Sequence, residues 1–300
     1  MDTPKKGISK SALVGYPAGI IAGIAYGLNP LFAMPLMRKG ASVEAILLFR
    51  YAISVMLLGL FLLFKRENFR VSLKQAALLA VLGISFSSSS LLLFESYKFI
   101  SSGLATTLVF LCPVLVALIM VFLRVVPSWP VWIAIAASFL GVVIMTKGDG
   151  DQTLNPTGII LAVGSALAYA IFMVILNKSK TVAPISSTLL TFYALCVGTC
   201  VFVAKIFLSG TDITIGLDGS SAWLNLTGLA IFPTVIAMAA LAVATRNIGA
   251  TKASVLGVFE PVTAILVGTL VFGEVLTVSS AVGISISIVA VVFMIALTKR

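Results

Sequence analysis

Long apolar stretches, separated by short polar ones, run the whole length of the chain. Eight stretches without Asp, Glu, Lys or Arg are each long enough to cross a bilayer as helix: 11–37, 75–94, 99–123, 125–146, 152–177, 181–204, 219–245 and 275–298. About 20 apolar residues suffice for one crossing. Two further apolar stretches each hold one charge deep inside, 43–64 with Arg50 and 252–273 with Glu260. The pattern predicts an all-α membrane protein of ten transmembrane helices. Strands of a membrane barrel alternate apolar and polar with period two, whereas these stretches are apolar on every side. The longest polar stretches, 146–157 and 209–222, are rich in Gly, Asp, Ser and Thr and read as loops. Met1–Gly15 carries Lys5, Lys6 and Lys10 ahead of an apolar run far longer than that of a cleaved signal, so a retained first span is expected.

The apolar pattern repeats. Pro113 and Pro261 stand 148 positions apart, and at that offset Lys98 meets Arg246, Ala105 meets Ala253, Leu108 meets Leu256 and Val114 meets Val262. Gly141–Met145 meets Ala290–Met294 at an offset of 149, and Pro17–Ile21 meets Pro156–Ile160 at 139. Matches between apolar segments arise easily by chance. Proline, basic residue and order agreeing across several segments do not. Two five-helix repeats are expected, 11–147 and 152–298. An odd number of spans starts the second copy on the opposite side of the membrane, so the repeats are inverted, as in many secondary transporters.

Composition adds sidedness. The chain of 300 residues is 60% hydrophobic and 10% charged, against about 25% charged for soluble domains. Its net charge of +10 would suit nucleic acid, but the basic residues are placed otherwise. With a cytoplasmic N-terminus, inside segments hold Lys5, Lys6, Lys10, Lys65, Arg66, Arg70, Lys74, Arg124, Lys178, Lys180, Arg246, Lys252, Lys299 and Arg300. Outside segments hold only Arg38, Lys39, Lys98, Lys147 and Lys205. That asymmetry places both termini in the cytoplasm. It also leaves no basic soluble domain for nucleic acid.

Few residues within the spans offer chemistry. Gly15, Gly19, Gly23 and Gly27 form one stripe on the first span, fit either for close packing or for a sliding surface. Asn29 and Pro30 follow, with Pro35 beyond. A proline inside a helix frees a carbonyl, which in a membrane needs a partner or a wet cavity. A cavity-facing kink and a merely tolerated one both fit. Pro113 and Pro261 suggest a symmetric pair of kinks. A charge deep in a span costs about 2.5–3.5 kcal/mol on the insertion scale and must face protein or water. Three roles are open to Glu260: binding a substrate amine, carrying a proton, or pairing with Arg50. Arg50 itself reads as a structural anchor. Glu95 and Lys98 are three apart and able to pair at the outer end of the third span. Lys98 and Arg246, as repeat mates, read as gate charges at the two mouths. Ser85 and Ser87–Ser90 suit either a polar cavity or close packing. Tyr26, Phe32, Phe86, Phe110, Tyr169 and Phe172 are either core and lipid-facing rings or a surface on which a flat substrate stacks.

Cys112, Cys196 and Cys200 lie within spans, and the chain has no His, so buried small hydrophobes are expected rather than a metal site. No nucleotide-binding or nucleophile-elbow motif is present, and neither an enzyme nor a cofactor is expected. The expected partners are a small-molecule substrate and the lipid bilayer, with the chain acting as a monomer.

Leu256-Gly-Val-Phe-Glu260-Pro261-Val-Thr-Ala-Ile-Leu-Val-Gly268, followed by Phe272-Gly-Glu-Val-Leu-Thr277, resembles the ninth-span signature of the EamA branch of the drug/metabolite transporter superfamily. Ser102-Gly-Leu-Ala105 and Cys112-Pro113-Val114 resemble that family's fourth span, with Cys112 standing where Glu260 stands in the second half. Arg50 matches an arginine common in its second span. The resemblance spans essentially the whole chain. It implies ten helices and metabolite export by alternating access around a midplane cavity, in a bacterial inner membrane. Bacterial amino-acid exporters, the aromatic type among them, look most similar. Arg50 is the only deep cation, which argues against multiply charged anions as substrate. Tyr26, Asn29, Phe32, Phe86, Ser87, Phe110, Tyr169, Phe172 and Glu260 are the expected cavity residues. A channel-like pore or facilitator for small neutral solutes is the alternative.

Overall fold

The computed structural model describes residues 10–100, 105, 108–146, 155–272 and 278–298. Expectations resting on Lys5, Lys6, Lys147, Lys299 and Arg300, on the stretch 147–154, on Ser102–Leu104 and on Gly273–Thr277 lie outside the described residues.

Helices account for nearly all of it: α1 (Lys10–Gly27), α2 (Asn29–Arg38), α3 (Val43–Phe64), α4 (Leu73–Ser96), α5 (Cys112–Phe122), α6 (Trp129–Thr146), α7 (Pro156–Lys178), α8 (Ser187–Ser209), α9 (Ser220–Ala230), α10 (Ala237–Ile248), α11 (Ala250–Leu256), α12 (Phe259–Phe272) and α13 (Val278–Thr298). A π-helical turn, Ile231–Ile236, joins α9 to α10. Among the described residues seven helical stretches are long and apolar enough to cross a membrane: Lys10–Arg38, Val43–Phe64, Leu73–Ser96, Pro156–Lys178, Ser187–Ser209, Ser220–Ile248 and Ala250–Val271. Cys112–Phe122, Trp129–Gly141 and Ala281–Leu297 are shorter apolar helices. The outer surface carries Phe64, Leu73, Phe122 and Phe207, each more than four-fifths exposed. Such a surface suits lipid and would be a liability in water. The chain is a multi-pass membrane protein.

Helix starts follow local chemistry. The Ser42 hydroxyl accepts from the Ala45 amide, and Ser72 with Gln75 forms a capping box at the start of α4. Asn155 and Ser186 cap α7 and α8 in the same way. Each cap satisfies an amide that the helix leaves without an intrahelical partner.

Among the described residues three breaks in helix are each followed at once by a proline. Leu28 separates α1 from α2, and Pro30 lies in the first turn of α2. Phe110 and Leu111 form a turn before α5, whose first turn holds Pro113. Gly257 and Val258 separate α11 from α12, and Pro261 lies in the first turn of α12. The expected kinks are therefore restarts. Proline has no amide to donate, and a first-turn amide has no intrahelical partner anyway, so the position suits it.

The glycine stripe of α1 packs against α10, α11 and α12. A Cβ on Gly23 would stand 2.8 Å from the Phe259 Cβ, and one on Gly27 would stand 2.6 Å from the Glu260 carbonyl oxygen. These glycines let α1 lie directly on the break that presents Glu260. Helix α4 packs between α7 and α8, while α3 packs on α8. Helices α6 and α13 pair with each other away from the cavity described below, with Trp129 against Phe293 at 6.2 Å.

Candidate functional site

Arg50 is 2% exposed and is held by three neutral groups. Its Nε donates to the Thr234 hydroxyl. Its Nη1 donates to Asn29 Oδ1 at 3.1 Å, and its Nη2 to the Pro233 carbonyl at 2.8 Å. The π turn supplies two of these partners. Pro233 has no amide to offer the Leu229 carbonyl, and the Thr234 hydroxyl donates there instead at 2.7 Å. That hydroxyl thus closes the turn on one side and receives the guanidinium on the other. The rings of Tyr51 and Phe94 each lie 5.9 Å from the guanidinium carbon, within range of a cation–π attraction. Ser54 extends the anchor, its single hydroxyl proton shared between the Arg50 carbonyl at 2.7 Å and the Ala230 carbonyl at 3.1 Å.

Beside this anchor lies a cavity lined by Tyr26, Asn29, Arg50, Phe86, Ser89, Ser90, Leu93, Phe94, Val109, Ser165, Tyr169 and Glu260. About 40 Å³ is open to the centres of water molecules, enough for roughly three waters. Its serines are tied together. Ser89 and Ser165 hydroxyls meet at 3.1 Å, Ser165 donates to the Ser89 carbonyl at 2.8 Å, and Ser90 meets the Tyr51 hydroxyl at 2.9 Å. The aromatic wall is continuous: Tyr26 meets Tyr169 edge-on at 6.1 Å, and Phe86 meets Tyr169 at 6.4 Å. The buried Tyr26 hydroxyl lies near that of Tyr169 without making a hydrogen bond of ordinary geometry. Glu260 and Arg50 face the same cavity, yet no ion pair joins them among the described residues.

The structure brings together five of the nine expected cavity residues, Tyr26, Asn29, Phe86, Tyr169 and Glu260, and adds Arg50 to them. The other four sit elsewhere. Phe32 stacks on Phe232 at 5.9 Å, over Gly228. Ser87 is buried and donates to the Ile84 carbonyl at 3.1 Å. Phe110 packs with Tyr16, Ala117 and Val131 in a separate cluster, and Val109 takes the place at the cavity. Phe172 is buried, stacked parallel to Tyr169 at 6.3 Å. Sequence reasoning missed Phe94, Leu93, Val109 and Ser165, and the Pro233–Thr234 turn. A proline–threonine pair inside the apolar run 219–245 was the available signal for the turn.

The charges assigned to the two mouths are both engaged. Lys98 pairs with Glu95 at 2.9 Å. Lys205 of α8 reaches Glu44 of α3 at 2.9 Å and Glu95 of α4 at 3.9 Å, so three helices meet in one network. Arg246, in the last turn of α10, donates to the carbonyls of Ile185 at 2.6 Å and Val182 at 3.2 Å.

A sequence profile of the EamA-like transporter family matches this chain over residues 13–147 and again over 156–296. YdfC, an uncharacterized transporter of Bacillus subtilis strain 168, is 27% identical over 288 residues, covering 95% of this chain and 89% of its own length. YedA, an uncharacterized inner membrane transporter of Escherichia coli K12, is 27% identical over 54% of this chain and 51% of its own. A crystal structure sharing 16% identity superposes with a TM-score of 0.78, over 98% of this chain and 100% of the other. That last likeness is one of fold.

Proposed function

This chain belongs to the EamA-like transporter family, and from that premise we propose that it exports small amphipathic metabolites, amino acids first among them and aromatic or hydrophobic ones in particular. One observation carries the reading: a single cavity joins aromatic rings to one guanidinium and one carboxyl. Rings offer an apolar side chain a place to stack, and the few polar groups orient it. With one deep cation, the wall lacks the charge needed for a phosphate-rich solute.

The transporter has ten spans in two inverted five-helix halves, 11–147 and 152–298, with both termini in the cytoplasm of a bacterium and the spans in its inner membrane. It works as a monomer. The twofold family match, over 13–147 and 156–296, supports the two halves, and the basic residues support the orientation. The halves rock about the cavity, and the breaks at Leu28, Phe110–Leu111 and Gly257–Val258 are where they bend. Lys98 and Arg246 serve the two gates.

The test is efflux from proteoliposomes across a panel of labelled amino acids, with and without a pH gradient. Saturable efflux of hydrophobic amino acids is expected. Absence of saturable movement for every amino acid overturns the substrate assignment.

A further inference from the structure

Arg50 is a buried cation whose protein partners are all neutral. A guanidinium carries five N–H donors. The described bonds to Thr234, Asn29 and Pro233 take one from each nitrogen, leaving one on Nη1 and one on Nη2. A buried charge without a counter-charge is costly, and no carboxylate lies within ion-pair distance of Arg50 among the described residues. The three neutral acceptors fix the plane of the fork, and the side chain borders the cavity.

Glu260 presents the complementary situation. Its backbone amide donates to the Gly257 carbonyl at 2.9 Å, but its carboxyl has no hydrogen-bond or ion-pair partner among the described residues. It too borders the cavity. The molecule therefore holds one positive and one negative side chain at one cavity and keeps them apart. A direct ion pair would have filled that gap and left nothing to recognise.

We propose that Arg50 and Glu260 form a split pair that selects zwitterions, Arg50 receiving the substrate's carboxylate and Glu260 its ammonium. This rests on the exporter reading and sharpens it to a charge state. Carboxylates suit the bidentate fork of an arginine, and an ammonium brings the donors that an ionised carboxyl lacks. A zwitterion completes both ends at no change in net charge. A bare amine leaves Arg50 unmatched, and a bare acid leaves Glu260 unmatched. The rings of Tyr26, Phe86 and Tyr169 border the same cavity, which has to widen from about 40 Å³ to admit a phenyl ring; they offer the same surface to every substrate that carries that ring, so they contribute little to this discrimination.

Three probes share a phenyl ring and differ only in charge: L-phenylalanine, 2-phenylethylamine and 3-phenylpropionate. Binding to the purified full chain in detergent is measured by thermal shift, and exchange is measured in proteoliposomes. Phenylalanine is expected to bind at least tenfold tighter than either analogue. Glu260→Gln, nearly isosteric, should weaken phenylalanine at least tenfold while leaving 3-phenylpropionate within about twofold. Arg50→Lys keeps the charge but loses the fork, and should weaken phenylalanine and 3-phenylpropionate together. If that variant does not fold, the glutamine variant alone decides. Equal binding of amine or acid to wild type, equal loss of phenylalanine and phenylpropionate in Glu260→Gln, or no binding of any probe overturns the split pair. Selective binding without exchange leaves the split pair standing and defeats the exporter reading. Exchange of phenylethylamine as fast as phenylalanine does the reverse.

Discussion

Thr234 shows how one hydroxyl serves two structures. It closes the π turn onto the Leu229 carbonyl and accepts from the Arg50 guanidinium. Thr234→Val removes both at nearly constant volume. A lost hydrogen bond to a buried charged group costs about 2 kcal/mol, so the valine variant should melt at a clearly lower temperature in detergent, and Thr234→Ser should restore most of the loss. Equal stability of the valine variant and wild type would show that the hydroxyl does not hold the guanidinium. At this scale the sequence was informative where polarity interrupts apolar runs: Asn29, Arg50 and Glu260 are conspicuous for that reason, and all three reach the cavity. What the sequence did not reveal was Arg50's neutral company. Its partners come from 21 and as many as 184 positions away, and one of them is a backbone carbonyl, which no side-chain pattern announces.

Among the elements, α4 shows why one expected residue borders the cavity and its neighbour does not. Phe86, Ser89, Ser90 and Leu93 fall at i, i+3, i+4 and i+7, one face of a helix, and all four line the cavity. Ser87 lies one residue on from Phe86, about 100° around the helix, and meets the Ile84 carbonyl instead. Of the serines that suit either a cavity or close packing, Ser89 and Ser90 share the helical face of Phe86 and line the cavity. On α7, Ser165 and Tyr169 are four apart and share the cavity, while Phe172 stands behind Tyr169. The prolines differ from expectation for a related reason: sequence marks where a helix is disturbed, and only the break itself tells a restart from a bend.

That distinction is measurable. In the first turn of α12, replacing Pro261 with alanine adds an amide that no helical carbonyl needs. Pro261→Ala should therefore shift stability by less than about 1 kcal/mol. Gly27→Ala should behave in the opposite way. Its Cβ would stand 2.6 Å from the Glu260 carbonyl oxygen, which belongs to the backbone and can move only with α12. Overpacking of this kind costs about 1–3 kcal/mol, and by displacing Glu260 it should also cut transport at least tenfold. Thermal unfolding of the two variants side by side checks both. A Pro261→Ala loss as large as that of Gly27→Ala would restore the view of the proline as a structural kink.

For the whole molecule, the apolar pattern made a membrane protein legible at once, because a lipid-facing surface leaves its mark on every span. The breaks hid from that pattern, since Leu28, Phe110, Leu111 and Val258 are themselves apolar. Sidedness depends on charges in loops and can be tested directly. In intact cells a membrane-impermeant thiol reagent should label Asp212→Cys, and should label Lys180→Cys only after permeabilisation. The reverse pattern would invert the proposed orientation.

The cavity is proposed to carry its substrate by turns between the two faces of the membrane. Trans-stimulated exchange of labelled L-phenylalanine in proteoliposomes bears on it most directly. Unlabelled phenylalanine on the far side should speed efflux of the labelled pool several-fold, and the effect should saturate. Flux that neither saturates nor responds to substrate on the far side, accompanied by ion conductance, would contradict alternating access and identify a pore.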